Sequence, residues 1–476
     1  MGQTEVGYFK ERYGVDEPLV ASLLGEALSR GGDYAELFFE HQLSRSINFE
    51  EQAVKGTSSG VTQGVGVRVV CGEAIGYAYT EAFEPEAMRR AARTAANIAA
   101  GTGSSTPAAV APRQVPHYYD LDHYSVHDPA ASKVALLRRA DGAARAYAPS
   151  VARVQVSYSE QLRHVAIASS EGALVEDVQP QVSLRVQVIS ERDGDRQSGY
   201  AGRAGRVNLS FLEEVTPEVV AVEAARLAVQ LHDAREAPAG TLPVVLGPGE
   251  AGVLIHEAVG HGLEADFNRK RTSAYTDRIG ERVAPPAVTV VDDGTIPHHL
   301  GSVNVDDEGT PGQRTVLIEH GVLTGYLQDW ISARHFGVAS TGNGRRESFR
   351  TYPQPRMRNT FLLGGQDDPQ AIIGAVQRGI YCARFGGGSV NISNGDFVFN
   401  TTEAYLIEGG KITAPIRPTN LTGNGPDLLT KVTMVGHDLQ QSRGTWQCGK
   451  NGQGAPVGVG LPTVLVSEVV VGGTGR

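Results

Sequence analysis

Residues 235–243, REAPAGTLP, place two prolines and a glycine between a long helical pattern and an apolar run. Proline cannot continue a helix and glycine loosens the backbone, so this stretch reads as a boundary between two folding units. It divides the chain into an N-terminal domain over 1–235 and a C-terminal domain over 240–476. Before it, helical periodicity at 16–30, 84–100, 131–147 and 216–234 alternates with period-two runs. Those runs are 34–43, 44–55 and 64–80, then strands from about 148 to about 206. A Ser-, Pro- and His-rich loop fills 101–128. Beyond residue 240 the pattern becomes short strands and turns, with one further helix at 368–379, and the excess of glycine (58 of 476 residues) concentrates there. No fixed-period repeat stands out. The expected fold class is α+β, with a mixed α/β N-terminal domain and a β-rich C-terminal domain.

The C-terminal domain opens on a helix that carries His256-Glu257-Ala258-Val259-Gly260-His261, an H-E-x-x-x-H pattern. Metallopeptidase helices usually carry H-E-x-x-H, where positions i and i+4 stand ~40° apart and share a face. Here the second histidine is at i+5, which a regular helix would turn ~140° away. Both imidazoles reach one ion only if the helix ends, unwinds or bulges between them. Gly260 and Gly262, on either side of His261, supply the backbone freedom for that. The competing reading is a polar helix end with two surface histidines.

A catalytic zinc site takes three protein ligands and keeps a position open for water. Cys448, in the glycine-rich TWQCGKNGQGAP, is a candidate third ligand, and Lys450 two residues on would favour its thiolate. Glu264 and Asp266 are rivals by proximity, and position alone does not choose among the three. Cys71, in a strand, and Cys382, after an apolar helix end, read as small buried hydrophobes. Glu257, beside a ligand, is placed to take a proton from a metal-bound water of pKa ~7 and pass it to a leaving amine.

Other strings carry less. Gly56-Thr57-Ser58-Ser59-Gly60 matches G-x-S-x-G, but a polar stretch precedes it and a strand follows, so a serine nucleophile is rejected. His298, His299 and His437 read as surface histidines, and Asp306-Asp307-Glu308 as a solvated turn. With 43 basic and 53 acidic residues the net charge is −10, which argues against direct nucleic-acid contact. Three cysteines make no disulfide scaffold, and no apolar stretch or leader-like N-terminus is visible, so a cytoplasmic chain without a membrane anchor is expected.

HEAVGHGLEAD (256–266), DDEGTPGQRTVLIEHGVLTGYL (306–327), STGNGRRES (340–348) and CGKNGQGAPVGVGLP (448–462) resemble the TldD family of metallopeptidases. GVGVRVVCGEAIGYAY and QSGYAGRAGR extend the resemblance over nearly the whole chain. It implies zinc held by His256, His261 and Cys448, with Glu257 as catalytic base and unfolded or short peptides as substrates. It also implies a partner, either a TldE/PmbA-like paralogue lacking the metal motif (a heterodimer) or a second copy in a homodimer. A hydrolase releasing a product from a peptide or carrier protein is an alternative, and a non-catalytic regulatory binding protein is another.

Overall fold

The fold was analysed in a computed structural model that describes residues 7–472 except 102 and 104. The N-terminal half is built twice from one pattern of helix, three antiparallel strands and helix. The first copy runs Glu17–Ala27, Tyr34–Glu50, Ala53–Cys71, Ala74–Thr80 and Pro85–Ile98; the second runs Ala130–Tyr147, Val151–Ser169, Ala173–Arg192, Asp195–Gly205 and Pro217–Gln230. Tyr34–Glu50 and Val151–Ser169 pair antiparallel, which joins both copies into one sheet.

The copies share more than order. In each, a glycine of the third strand lies against the closing helix: a Cβ on Gly76 would meet the Ala95 carbonyl at 2.1 Å, and one on Gly199 the Ala224 carbonyl at 2.1 Å. Both closing helices begin with proline and bury an alanine-rich face, so helix backbone packs directly on sheet. The two units differ in connection length and side chains. That is why no fixed period marks them in the sequence.

Strand boundaries also differ from the periodicity reading. The chain continues as one strand through 44–50 and turns at Glu51-Gln52, both at positive φ (49° and 59°). Hairpin turns of this kind favour Asn or Gly, so this pair gives no sequence signal. Gly56–Gly60 lies inside the Ala53–Cys71 strand and has no following helix, in keeping with its rejection as a nucleophile motif.

In the C-terminal half, Arg378–Val390, Gly240–Leu246, Val464–Gly472, Asn420–Asn424 and Asp396–Glu408 pair in succession, and the last returns to the first. This five-stranded ring faces a second sheet that includes Val290–Asp293, Asn359–Leu362 and Gly458–Leu461. The helical stretch Val253–Leu263 is wedged between ring and second sheet, in an apolar core that includes Leu254, Ile255, Phe397 and Phe399. The helix expected at 368–379 is shorter, Pro369–Gly374. From Arg378 the chain is a strand whose Ile380–Cys382 pairs in parallel with Val244–Leu246, so sheet pairing overrides the helical pattern and Cys382 lies mid-strand.

Asp306-Asp307-Glu308 is not a solvated turn. All three are buried, and Asp307 and Glu308 tie the C-terminal half to the N-terminal sheet. Arg68 reaches Glu36 and Glu308 at 2.7 Å each, Arg163 reaches Glu40 at 3.1 Å and Asp307 at 3.3 Å, and Arg346 closes on Glu36. The Asp306 carboxylate instead accepts backbone N–H groups of Glu308, Thr310 and Gly344 at 2.8–3.0 Å. No helix among the described residues is long and apolar enough to cross a membrane.

Candidate metal centre

The H-E-x-x-x-H stretch leaves regular helix geometry at the motif itself. Val253–Ile255 is α-helical, His256–Gly260 forms a π-turn, and His261–Leu263 tightens into a 3-10 turn. The His261 N–H donates to the His256 carbonyl, an i to i+5 bond. A turn with one extra residue brings i+5 to where i+4 would stand in an α-helix. The rings therefore meet with centroids 5.3 Å apart and planes at 84°.

The flanking glycines act through packing rather than unusual φ. A Cβ on Gly260 would meet the Met357 sulfur at 2.0 Å, and one on Gly262 the Tyr275 ring at 2.7 Å. On the opposite wall Gly425 lies against the motif, where a Cβ would meet the Ala258 carbonyl at 1.9 Å. The widened turn is clamped from three directions.

Cys448 arrives from the hairpin Gln447–Lys450 and Gln453–Pro456. Its Sγ lies 3.3 Å from His261 Nε2, and ligand atoms of His256, His261 and Cys448 all fall within 4.8 Å of one another. All three residues are buried, and neither ring nitrogen of His256 has a hydrogen-bond partner. A buried imidazole unpaired at both nitrogens is costly unless something else ligates it.

Burial disfavours the Cys448 thiolate, yet His256 and His261 hold the thiol well below its usual range. Burial likewise disfavours charge on His261, but Glu264 and Cys448 keep its imidazole well above the ordinary value. The cluster thus favours a thiolate beside a charged imidazole, and a divalent cation held there would replace that positive charge. The donor set of two imidazoles and one thiolate fits a soft-to-borderline metal.

Glu264 and Asp266, the rival ligands, lie behind the cluster. Glu264 Oε2 meets His261 Nδ1 at 3.0 Å, on the ring nitrogen that faces away from Cys448. Such a carboxylate fixes the tautomer and aim of a ligating imidazole. Lys450 Nζ lies 3.1 Å from Glu264 and 2.7 Å from Asp266, so it pairs with these acids and not with the thiolate. Burial would raise the Glu264 carboxyl, but Lys450 and His261 pull it down to about 2. Sequence reasoning placed Lys450 near the right residue and gave it the wrong partner.

Glu257 is partly exposed, its Oε2 3.6 Å from His261 Nε2. With His256 it lines a cavity of ≈ 580 Å³ between the two halves of the chain, walled by Ser198–Gly202, Gly386–Gly388 and Gly444–Gln447. Burial pushes its carboxyl up, against the pull of His256 and His261. Glu250, unnoticed in the sequence, lines the same cavity. Its signal was spacing: it stands seven residues before Glu257, two helical turns along one face.

The domain patterns of the PmbA/TldA metallopeptidases match this chain in three pieces: domain 1 at 35–99, the central domain at 125–231 and the C-terminal domain at 239–473. The chain belongs to the PmbA/TldD metallopeptidase family. The first two pieces fall on the two repeated units. Similar proteins include a metalloprotease TldD homolog of Haemophilus influenzae, 43% identical over 455 residues and 94% of each chain. Another, from Buchnera aphidicola subsp. Acyrthosiphon pisum, is 40% identical over 462 residues and 95% of each chain. A zinc metalloprotease TldD homolog of Saccharolobus solfataricus is 27% identical, covering 93% of this chain and 97% of its own. The fold matches TldE of Thermococcus kodakarensis with a TM-score of 0.75 at 20% identity, covering 95% of this chain and 100% of that one. The chain is a metallopeptidase, and the same fold carries both TldD and TldE.

Proposed function

We propose that this chain is a zinc-dependent peptidase acting on short or unfolded peptides, with His256, His261 and Cys448 as metal ligands and Glu257 as the proton-transferring base. The observation that carries it is His256, buried with both nitrogens unpartnered beside a thiol and a second imidazole, at the floor of a cavity that Glu257 also lines. When bound, zinc supplies Lewis acidity toward a carbonyl and toward water. Glu257 Oε2 takes the proton of the attacking water and delivers it to the leaving amine nitrogen. Its raised affinity for a proton suits both halves of that transfer.

The Arg378–Val390 strand supports peptide binding through main chain. It has a strand on both sides at Ile380–Cys382, but farther along, among the described residues, it pairs only with Asp396–Glu408, which leaves one edge without a strand partner beside the cavity. Space around Gly387 is open, with no atom within 4 Å of a built Cβ. An extended peptide pairing there is read by backbone, which favours broad specificity. The reading extends to a TldE/PmbA-type paralogue as partner, because this chain carries the metal cluster and its fold is shared with a TldE. A boundary at 235–240 and a cytoplasmic location belong to the same proposal.

Peptide mixtures incubated with wild type and Glu257→Gln, followed by mass spectrometry, test it. Wild type, alone or with its paralogue, should generate new termini, and the variant should be slower by about 10²–10⁴-fold with its metal still bound. Equal cleavage by both removes Glu257 from the chemistry. A product-releasing hydrolase would show instead as a single accepted peptide or carrier among many.

A further inference from the structure

The cavity holds a second carboxylate for which the chemistry at the metal has no use. Glu250 begins the 3-10 turn that leads into the motif helix, and it lines the cavity together with Val253, His256 and Glu257. Its Oε1 accepts the Ser442 hydroxyl at 2.7 Å, and Ser442 in turn accepts the Trp446 indole N–H at 3.2 Å. Gly444 closes over it so tightly that a Cβ there would stand 3.0 and 3.1 Å from the two carboxylate oxygens. The absence of a side chain at 444 leaves the carboxylate open to the cavity.

Among the described charged residues lining this cavity, Glu250 lacks an ion pair. Arg384 is engaged by Glu223 and, at 3.0 Å, by Glu403; Glu257 faces His261. Arg203, whose charge acts on Glu250, is held by Glu223 at 2.7 Å. Burial pushes the Glu250 carboxyl up despite Ser442, Arg203 and Trp446, as expected of an acid short of a counter-ion. An oriented, solvent-poor carboxylate facing a peptide channel is suited to a mobile cation.

We propose that Glu250 forms an ammonium subsite, so that the enzyme prefers peptides carrying an alkylammonium group about three residues from the bond it cleaves. The distance follows from the turns between them: seven residues of 3-10, α and π geometry, rising roughly 1.5 Å each on average, separate Glu250 from Glu257 by roughly 10 Å, the length of about three extended residues. The ammonium can come from a lysine side chain or from the free N-terminus. This inference rests on the peptidase reading above.

A peptide series carrying Lys, norleucine or Glu at each position from two to four residues on either side of the cleaved bond, with free or acetylated N-termini, tests it. The holoenzyme, with its paralogue where that is needed for turnover, should cleave the best Lys or free-amine peptide about tenfold faster in kcat/KM than its uncharged match. Loss of the preference on acetylation assigns the N-terminus; its survival assigns the side chain. In Glu250→Gln the ratio should collapse to about one, in Glu250→Asp it should persist in weakened form, and in Glu250→Lys it should shift toward the Glu peptides. A carboxylate that merely anchors the Ser442–Trp446 loop would change rate or stability without moving this ratio.

Calorimetric binding of the same peptides to Glu257→Gln reads the subsite without turnover. Equal affinity for Lys and norleucine peptides, or a ratio unchanged in Glu250→Gln, overturns the ammonium subsite. An affinity ratio that tracks Glu250 while wild type with full metal cleaves nothing overturns the peptidase reading and leaves the subsite standing.

Discussion

Two of the buried polar clusters in this chain differ in how their polar groups are met. In the lattice of Glu36, Glu40, Asp307 and Glu308 with Arg68, Arg163 and Arg346, every carboxylate faces a guanidinium. At the candidate metal centre His256 has no hydrogen-bond partner at either nitrogen, and Cys448 Sγ lies 3.3 Å from His261 Nε2. Both clusters are equally removed from water. A buried network whose charges are paired holds halves together even where single N–H groups such as Arg68 Nε go unbonded, whereas a buried imidazole open at both nitrogens is suited to a ligand.

Removing one member of each cluster separates these roles. Cys448→Ala should drop bound zinc from about one per chain to a small fraction and abolish hydrolysis, while the fold survives a change to a small apolar side chain. Full metal in that variant, measured by mass spectrometry, would return the third ligand to another residue. Arg68→Ala should do the reverse. It leaves Glu308 without its counter-ion and Glu36 with Arg346 alone, and should cost about 3–5 kcal/mol in urea unfolding, with metal content of the folded protein unchanged.

Glu264→Gln sharpens the comparison, since Glu264 belongs to both worlds: paired with Lys450 and aimed at His261. Zinc affinity should fall about 10–100-fold in a chelator competition, with the three ligands still present. An unchanged affinity would reduce Glu264 to a structural ion pair.

The smallest effect is in pH. Burial opposes ionisation of Asp307, but Arg163 and Arg346 hold its carboxyl below the usual carboxylate range. A group with a depressed folded value stabilises fully above its unfolded value of ~3.9 and loses that contribution as pH falls through the folded one. Asp307→Asn should therefore be less stable than wild type at pH 6 and show a shallower further loss toward pH 3. Parallel slopes would mean that other carboxylates carry the acid sensitivity.

Much of the site was legible because chemistry restricts its vocabulary. Two histidines and a glutamate at fixed spacing, and a cysteine in a glycine-rich loop, have few bland uses together. The i+5 spacing also announced that the helix must depart from regularity. What failed was reasoning from neighbours in sequence: Lys450 lies two residues from Cys448 but in a hairpin, where its side chain reaches Glu264 and Asp266 instead. Asp306–Glu308 read as solvated because charge runs usually are, and the arginines that pair Glu308 and Asp307 come from positions 68 and 163, while Arg346 gives Asp307 a backbone N–H.

The sequence by itself determined the α+β class, the helices with strong periodicity and the H-E-x-x-x-H spacing, since local pattern and side-chain chemistry act over a few residues; by position Cys448 was one of three candidates, and the fold set its Sγ 3.3 Å from His261 Nε2. Tertiary structure alone decided the rest. The doubled helix–strand–helix unit shows only as shape, because packing conserves backbone approach, as at Gly76 and Gly199, without conserving a sequence period. The Glu264–Lys450 pair behind the candidate metal centre, the paired lattice and the Glu250 cavity are each assembled from segments tens to hundreds of residues apart. Electrostatic partnership acts across angstroms of space, and nothing in the order of residues along a chain records which distant charges the fold will bring together.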